Sequence, residues 1–196
     1  MGEYNGNLNY YENIGSAALP SFVAREGSAN PFDKVRADSD CAPRFVDIDG
    51  GGQNLVVGEG SGGMILYENT ANAAVAPEFV EIAGTASPLG FVDINQLGVH
   101  GPDQGYSTPT LVDLDEDGDL DVVVGHRMDY DSDGDGELSA DERSRLVDTD
   151  TLFLYENVGS SVAPTFVKKT GSESPFAFVD AFGMSAATFG DLDQDG

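Results

Sequence analysis

A single cysteine, Cys41, and no tryptophan occur in this 196-residue chain. One thiol excludes a disulfide within the chain, and by itself says little about compartment. Basic residues are scarce: nine Lys and Arg face 35 Asp and Glu, for a formal net charge of −26. That excess repels polyphosphates and anionic membranes, which excludes DNA and RNA as partners and favours divalent cations. No run approaches the roughly 20 apolar residues that cross a bilayer, so no membrane insertion is expected of this segment. The opening Met1-Gly2-Glu3-Tyr4-Asn5 is polar where a leader is basic and then apolar, so no signal peptide is read there. Phosphate-cradling glycine loops, nucleophile elbows and Cys/His metal clusters are absent too, and the expectation is that the chain is not an enzyme.

What is present is repetition. Met1–Asn13 lies over Val57–Asn69 without a gap, matching Gly2 with Gly58, Glu3 with Glu59, Gly6 with Gly62, and the closing Tyr-Glu-Asn. That triplet returns at Tyr155-Glu156-Asn157. A Pro-x-Phe-Val follows each copy, at Pro20–Val23, Pro77–Val80 and Pro164–Val167. Each unit reads as four short strands, in the second copy roughly Arg44–Ile48, Asn54–Gly58, Met64–Glu68 and Glu78–Ile82. Proline at the head of the fourth strand suits an edge position. Asn30-Pro31, Ser87-Pro88 and Ser174-Pro175 then lead to the next unit. Repeated four-stranded antiparallel units predict an all-β fold of propeller blades. Residues 1–25 form the end of one blade, 43–85 and 108–170 two blades, and 185–196 the start of another. About three blades fall short of the roughly four to eight that close a ring, so a segment of a longer protein is expected. The recurring Tyr10-Tyr11, Phe22, Phe79 and Phe166 are expected to serve packing and not as a ligand platform. His126 replaces Glu3 and Glu59 in the repeat and is expected to face solvent. His100 lies in the Gly98–Gly105 loop, where a local contact or an exposed site is expected and not a ligand.

Acidic residues cluster: thirteen fall between Asp113 and Glu142, against one arginine, Arg127. Asp113, Asp115 and Asp117 alternate, and Gly118 lets the backbone turn so that they converge. Asp119 then offers its carbonyl and Asp121 a further carboxylate. Flexible, oxygen-only ligation suits Ca²⁺ better than Mg²⁺. The plainer alternative, a solvated acidic turn, leaves four like charges crowded without a counterion. Asp191, Asp193 and Asp195 begin a second copy. Asp47 and Asp49 begin a degenerate one, in which Gly51 and Leu55 stand where carboxylates are needed, and that turn is expected to hold without metal. A different pattern occupies an insertion at 129–147. Asp131, Asp133, Asp135, the Glu137 carbonyl, Ser139 and Glu142 fit the EF-hand loop, with Gly136 at its turn. Ser139 to Glu142 is also a capping box, which predicts a short helix through Leu146.

Asp-x-Asp-x-Asp-Gly-x-x-Asp between Thr110-Leu-Val and Val-Val-Val-Gly, followed by Leu-Tyr-Glu-Asn, resembles the FG-GAP/VCBS repeat found in the integrin α-chain propeller. The resemblance covers nearly the whole chain apart from the insertion. It implies a calcium loop with ligands from Asp113, Asp115, Asp117, Asp121 and the Asp119 carbonyl. It also implies a secreted or cell-surface module with a structural or adhesive role. Its partners would be other extracellular proteins, glycans or further copies of itself. A carbohydrate-binding or polysaccharide-active propeller is the alternative, and an intracellular calcium sensor a weaker third, since no second EF-hand is present to pair with the first.

Overall fold

The computed structural model describes residues 1–48, 51–71, 77–92, 94, 105–126, 152–179 and 185–191. Among these residues ten strands form the framework: β1 (Tyr10–Asn13), β2 (Phe22–Arg25), β3 (Ala42–Val46), β4 (Asn54–Gly58), β5 (Met64–Asn69), β6 (Phe79–Ile82), β7 (Thr108–Val112), β8 (Asp121–Gly125), β9 (Leu152–Asn157) and β10 (Phe166–Lys169). They build one two-stranded and two four-stranded sheets, all antiparallel, each in sequential order. Among the described residues the only helices are single 3₁₀ turns, and none is long and apolar enough to cross a membrane.

The strands of the second unit fall within two residues of their expected bounds, because alternation fixes which face each side chain takes. Along β4, Leu55 and Val57 enter the core shared with the first unit, whereas Val56 enters the core shared with the third. The middle sheet is therefore covered on both faces, and every residue of β4 is buried. Pro77 and Pro164 precede β6 and β10, the edge strands, where a missing amide costs no ladder bond.

The turns repeat as faithfully as the strands. Asn13 Oδ1 accepts from the Gly15 and Ser21 amides (3.0 and 2.9 Å), and Asn157 Oδ1 from those of Gly159 and Thr165 (3.0 and 2.8 Å). The asparagine of Tyr-Glu-Asn thus closes the loop between the third and fourth strands. Beyond the fourth strand come 3₁₀ turns at Gly27–Ala29, Gly84–Ala86 and Gly171–Glu173, each opening on a glycine with φ between +53° and +58°. Asn30, Ser87 and Ser174 then each accept the amide two residues on (2.9, 3.2 and 3.2 Å).

One clasp joins each unit to the next. The amides of Glu3, Glu59 and His126 donate to Cys41 Sγ (3.2 Å), Ser107 Oγ (2.9 Å) and Ser185 Oγ (2.9 Å). Cys41, Ser107 and Ser185 return their own amides to the carbonyls of the same three residues. Cys41 thus does the work of a repeat serine, and burial pushes its thiol pKa up, against hydrogen bonding that pulls it down. The clasp also corrects one expectation. His126 is buried, not solvent-facing, because Ser185 ties the following segment against it and its ring lies 5.0 Å from that of Phe153. Two more expectations fail at the first unit, where Phe22 and Tyr11 are exposed instead of packed.

Candidate metal centre

Residues 113–120 link β7 to β8. Glu116 (φ +60°) and Gly118 (φ +95°) take left-handed conformations that reverse the chain within this short span. Asp113 anchors the loop: its Oδ1 accepts from the Asp117 amide (3.1 Å) and its Oδ2 from the Gly118 amide (3.0 Å). Asp117 Oδ1 in turn accepts from the Asp119 amide (3.0 Å). With the first and fifth carboxylates tied down, Asp113, Asp115 and Asp117 each bring an oxygen within 4.8 Å of the others. Like charges at about 4 Å repel by about 1 kcal/mol per pair even in water, so the arrangement favours a shared cation.

Asp119 adds an observation of another kind. Its side chain is 8 % exposed, and its Oδ1 is buried without a hydrogen-bond partner. Burial pushes its pKa up, the charges of Asp117, Asp115 and Asp113 push it further, and the Asn157 side chain pulls it back in part. A buried carboxylate oxygen left unpaired costs on the order of 1–3 kcal/mol or more. Asp119 was expected to contribute only its carbonyl; sequence spacing gave no sign that its carboxylate would be buried here.

Asp121 has a different occupation. Its Oδ1 accepts from the Asn157 amide (2.8 Å) and its Oδ2 from the Leu114 amide (3.1 Å), so it ties the loop to β9. It does not join the group of three oxygens. Burial raises its pKa, and these two bonds lower it again.

The second unit clarifies the degenerate copy. Val46 pairs with Asn54, as Val112 pairs with Asp121, so the 47–53 loop is one residue shorter than 113–120. Asn54, not Leu55, therefore takes the place of Asp121, and its Oδ1 accepts from the Asn69 amide (3.4 Å). Asp47 accepts from the Gly52 amide (3.4 Å), a looser version of the Asp113 anchor. Asp191 stands six residues past Ser185, as Asp113 stands past Ser107. Asp193, Asp195 and the EF-hand-like set Asp131, Asp133, Asp135, Glu137, Ser139 and Glu142 lie outside the described residues, as do the helix expected after that set and His100.

The three converging carboxylates fit a hard divalent cation, Ca²⁺ before Mg²⁺, because the loop supplies oxygen donors without imposing a strict octahedron; Asp119, like Asp121, is not one of the three. Comparison with protein-family models, curated proteins and solved structures found no match.

Proposed function

We propose that this chain is a calcium-binding segment of a β-propeller of the FG-GAP/VCBS kind, serving outside the cell as a structural or adhesive module and not as an enzyme. The observation that carries the reading is the convergence of the Asp113, Asp115 and Asp117 carboxylates in one turn. Bound Ca²⁺ would supply the positive charge that this acidic turn lacks. The blade reading draws support from how the units meet. β7 lies against β3 and β4, and Thr108 and Thr110 donate to the carbonyls of Ser185 and Ala187 (2.8 and 2.7 Å). The leading segments of successive units therefore run side by side, as strands near a propeller axis do. Extracellular calcium is abundant enough to saturate even a weak site of this kind.

Calorimetric calcium titration tests the reading. Asp115 makes no hydrogen bond among the described residues, so Asp115→Ala removes a donor without loosening the loop. It is expected to lower the calcium stoichiometry by one. Glu142→Gln is expected to weaken a separate site and leave this one intact. Unchanged stoichiometry in Asp115→Ala would refute the centre.

A second reading, carbohydrate binding, is favoured by a groove of about 640 Å³ between the first and second units, lined among others by Tyr10, Glu12, Asn30, Asp33, Glu78 and Phe79. A partly exposed tyrosine, Tyr10, beside carboxyl and amide groups suits a sugar. Strong, selective signals on a glycan array would move the assignment there.

A further inference from the structure

The glutamate of Tyr-Glu-Asn has a basic partner in two units and not in the third. Glu12 pairs with Arg25 (2.6 Å) and Glu156 with Lys169 (2.8 Å), each partner lying on the fourth strand of its unit. Strand register gives the two bases one repeat position. Arg25 stands opposite Tyr10 and Lys169 opposite Leu154, in each case two residues before the glutamate. In the second unit that position is Ile82, opposite Leu66. Glu68 is exposed there, and its carboxylate makes no ion pair or hydrogen bond among the described residues. The second unit has the acid of this pair without the base.

Glu68 also borders a pocket of about 200 Å³ between the second and third units, walled by Ile48, Leu66, Ile82, Pro88 and Pro164. Ile48 and Leu66 belong to the core that the two four-stranded sheets share, so both walls are complete sheets fixed by their own packing. The volume is below the roughly 300–1,000 Å³ of sites for drug-sized ligands, which suits a single side chain. Apolar walls ending on a carboxylate match an alkyl stem ending in a positive charge. Lysine and arginine bury such stems while the charged head stays near water. Arg25 and Lys169 make the same match from within the chain, and the net charge of −26 draws basic partners toward it.

We infer that this pocket receives a lysine or arginine side chain from a basic protein partner, its stem along Leu66 and Ile82 and its charge on Glu68. The pocket is independent of the calcium centre, because Glu68 lies on β5 and the aspartate turn lies between β7 and β8.

Methyl NMR of the full chain at fixed calcium concentration tests this, with the end-capped peptide Gly-Gly-Lys-Gly-Gly as probe and Ile48 and Leu66 as reporters. Both methyl signals are expected to shift and saturate. Glu68→Gln is expected to weaken binding about tenfold. Glu26→Gln removes the same charge at an exposed position elsewhere and is expected to leave binding unchanged. Ile82→Lys puts a base where the first and third units have one. It is expected to abolish peptide binding with circular dichroism unchanged. A wild type without saturating shifts would overturn the inference. So would equal binding by Glu68→Gln, or by the norleucine peptide, which has an alkyl stem and no ammonium. Butylamine binding as tightly as the peptide would overturn the assignment to a protein side chain in favour of a free amine.

Discussion

At the level of single residues, Asp121 and Glu59 separate what a carboxylate does from what its spacing suggests. Asp121 sits where a metal ligand was expected, yet it holds the Leu114 and Asn157 amides. Asp121→Ala should cost about 1–3 kcal/mol for each amide left unpaired, read by urea denaturation with calcium chelated. A loss seen only when calcium is present would instead return Asp121 to the ligand set. Glu59 accepts the Asp38 amide (3.0 Å), and burial pushes its pKa above the ordinary 4.5; that hydrogen bond pulls it down, and the charges of Asp38 and Glu81 add to the rise. The folded form therefore holds this proton more tightly than the unfolded chain does. Its contribution to stability is full below 4.5 and is lost as pH rises through the raised folded value. Glu59→Gln keeps an acceptor oxygen and removes the half-buried charge. It should melt at a higher temperature than the wild type at neutral pH and show no such gain below 4.5, and an equal gain at both would exclude ionisation as the cause.

Among the turns and strands, glycine serves two unrelated needs, and substitution should tell them apart. A Cβ on Gly58 would lie 2.0 Å from the Ser107 carbonyl oxygen, so Gly58→Ala forces the clasp between units apart. Gly84 has φ +58° and open space around its missing Cβ, so Gly84→Ala meets only backbone strain. Thermal denaturation should show the first losing on the order of 3 kcal/mol and the second about 1–2 kcal/mol. The Tyr-Glu-Asn and Pro-x-Phe-Val segments were legible because they recur at near-constant separation, and they mark β5, β6, β9 and β10 closely. The glycine that opens each 3₁₀ turn also recurs, at Gly27, Gly84 and Gly171, and a comparison of the residues just before each proline would have found it.

Across the whole molecule, the balance lies between an apolar interior shared by successive sheets and an acidic exterior. The core around Val56, Leu66, Val122 and Val124 is common to both four-stranded sheets, so neither buries its apolar face alone. The net charge of −26 opposes this compaction, and a cation bound only by the folded form offsets it through mass action. Excess chelator should therefore lower the melting temperature. At a free calcium concentration of about 100 times Kd, one site should restore about 2.7 kcal/mol. A melting curve indifferent to both chelator and calcium would sink the proposed centre.

The order of the strands, their antiparallel neighbours and the aspartate loop followed from the sequence by itself, because alternation, turn glycines and recurrence are local properties of a chain. Three things were decided only in tertiary structure. Asp119 is buried with an oxygen unpaired, Asn54 stands in for Asp121 across a loop one residue shorter, and His126 lies under the segment that Ser185 ties down. Each depends on which distant backbone arrives beside the residue. That is set by how whole sheets pack, which no short window of sequence encodes.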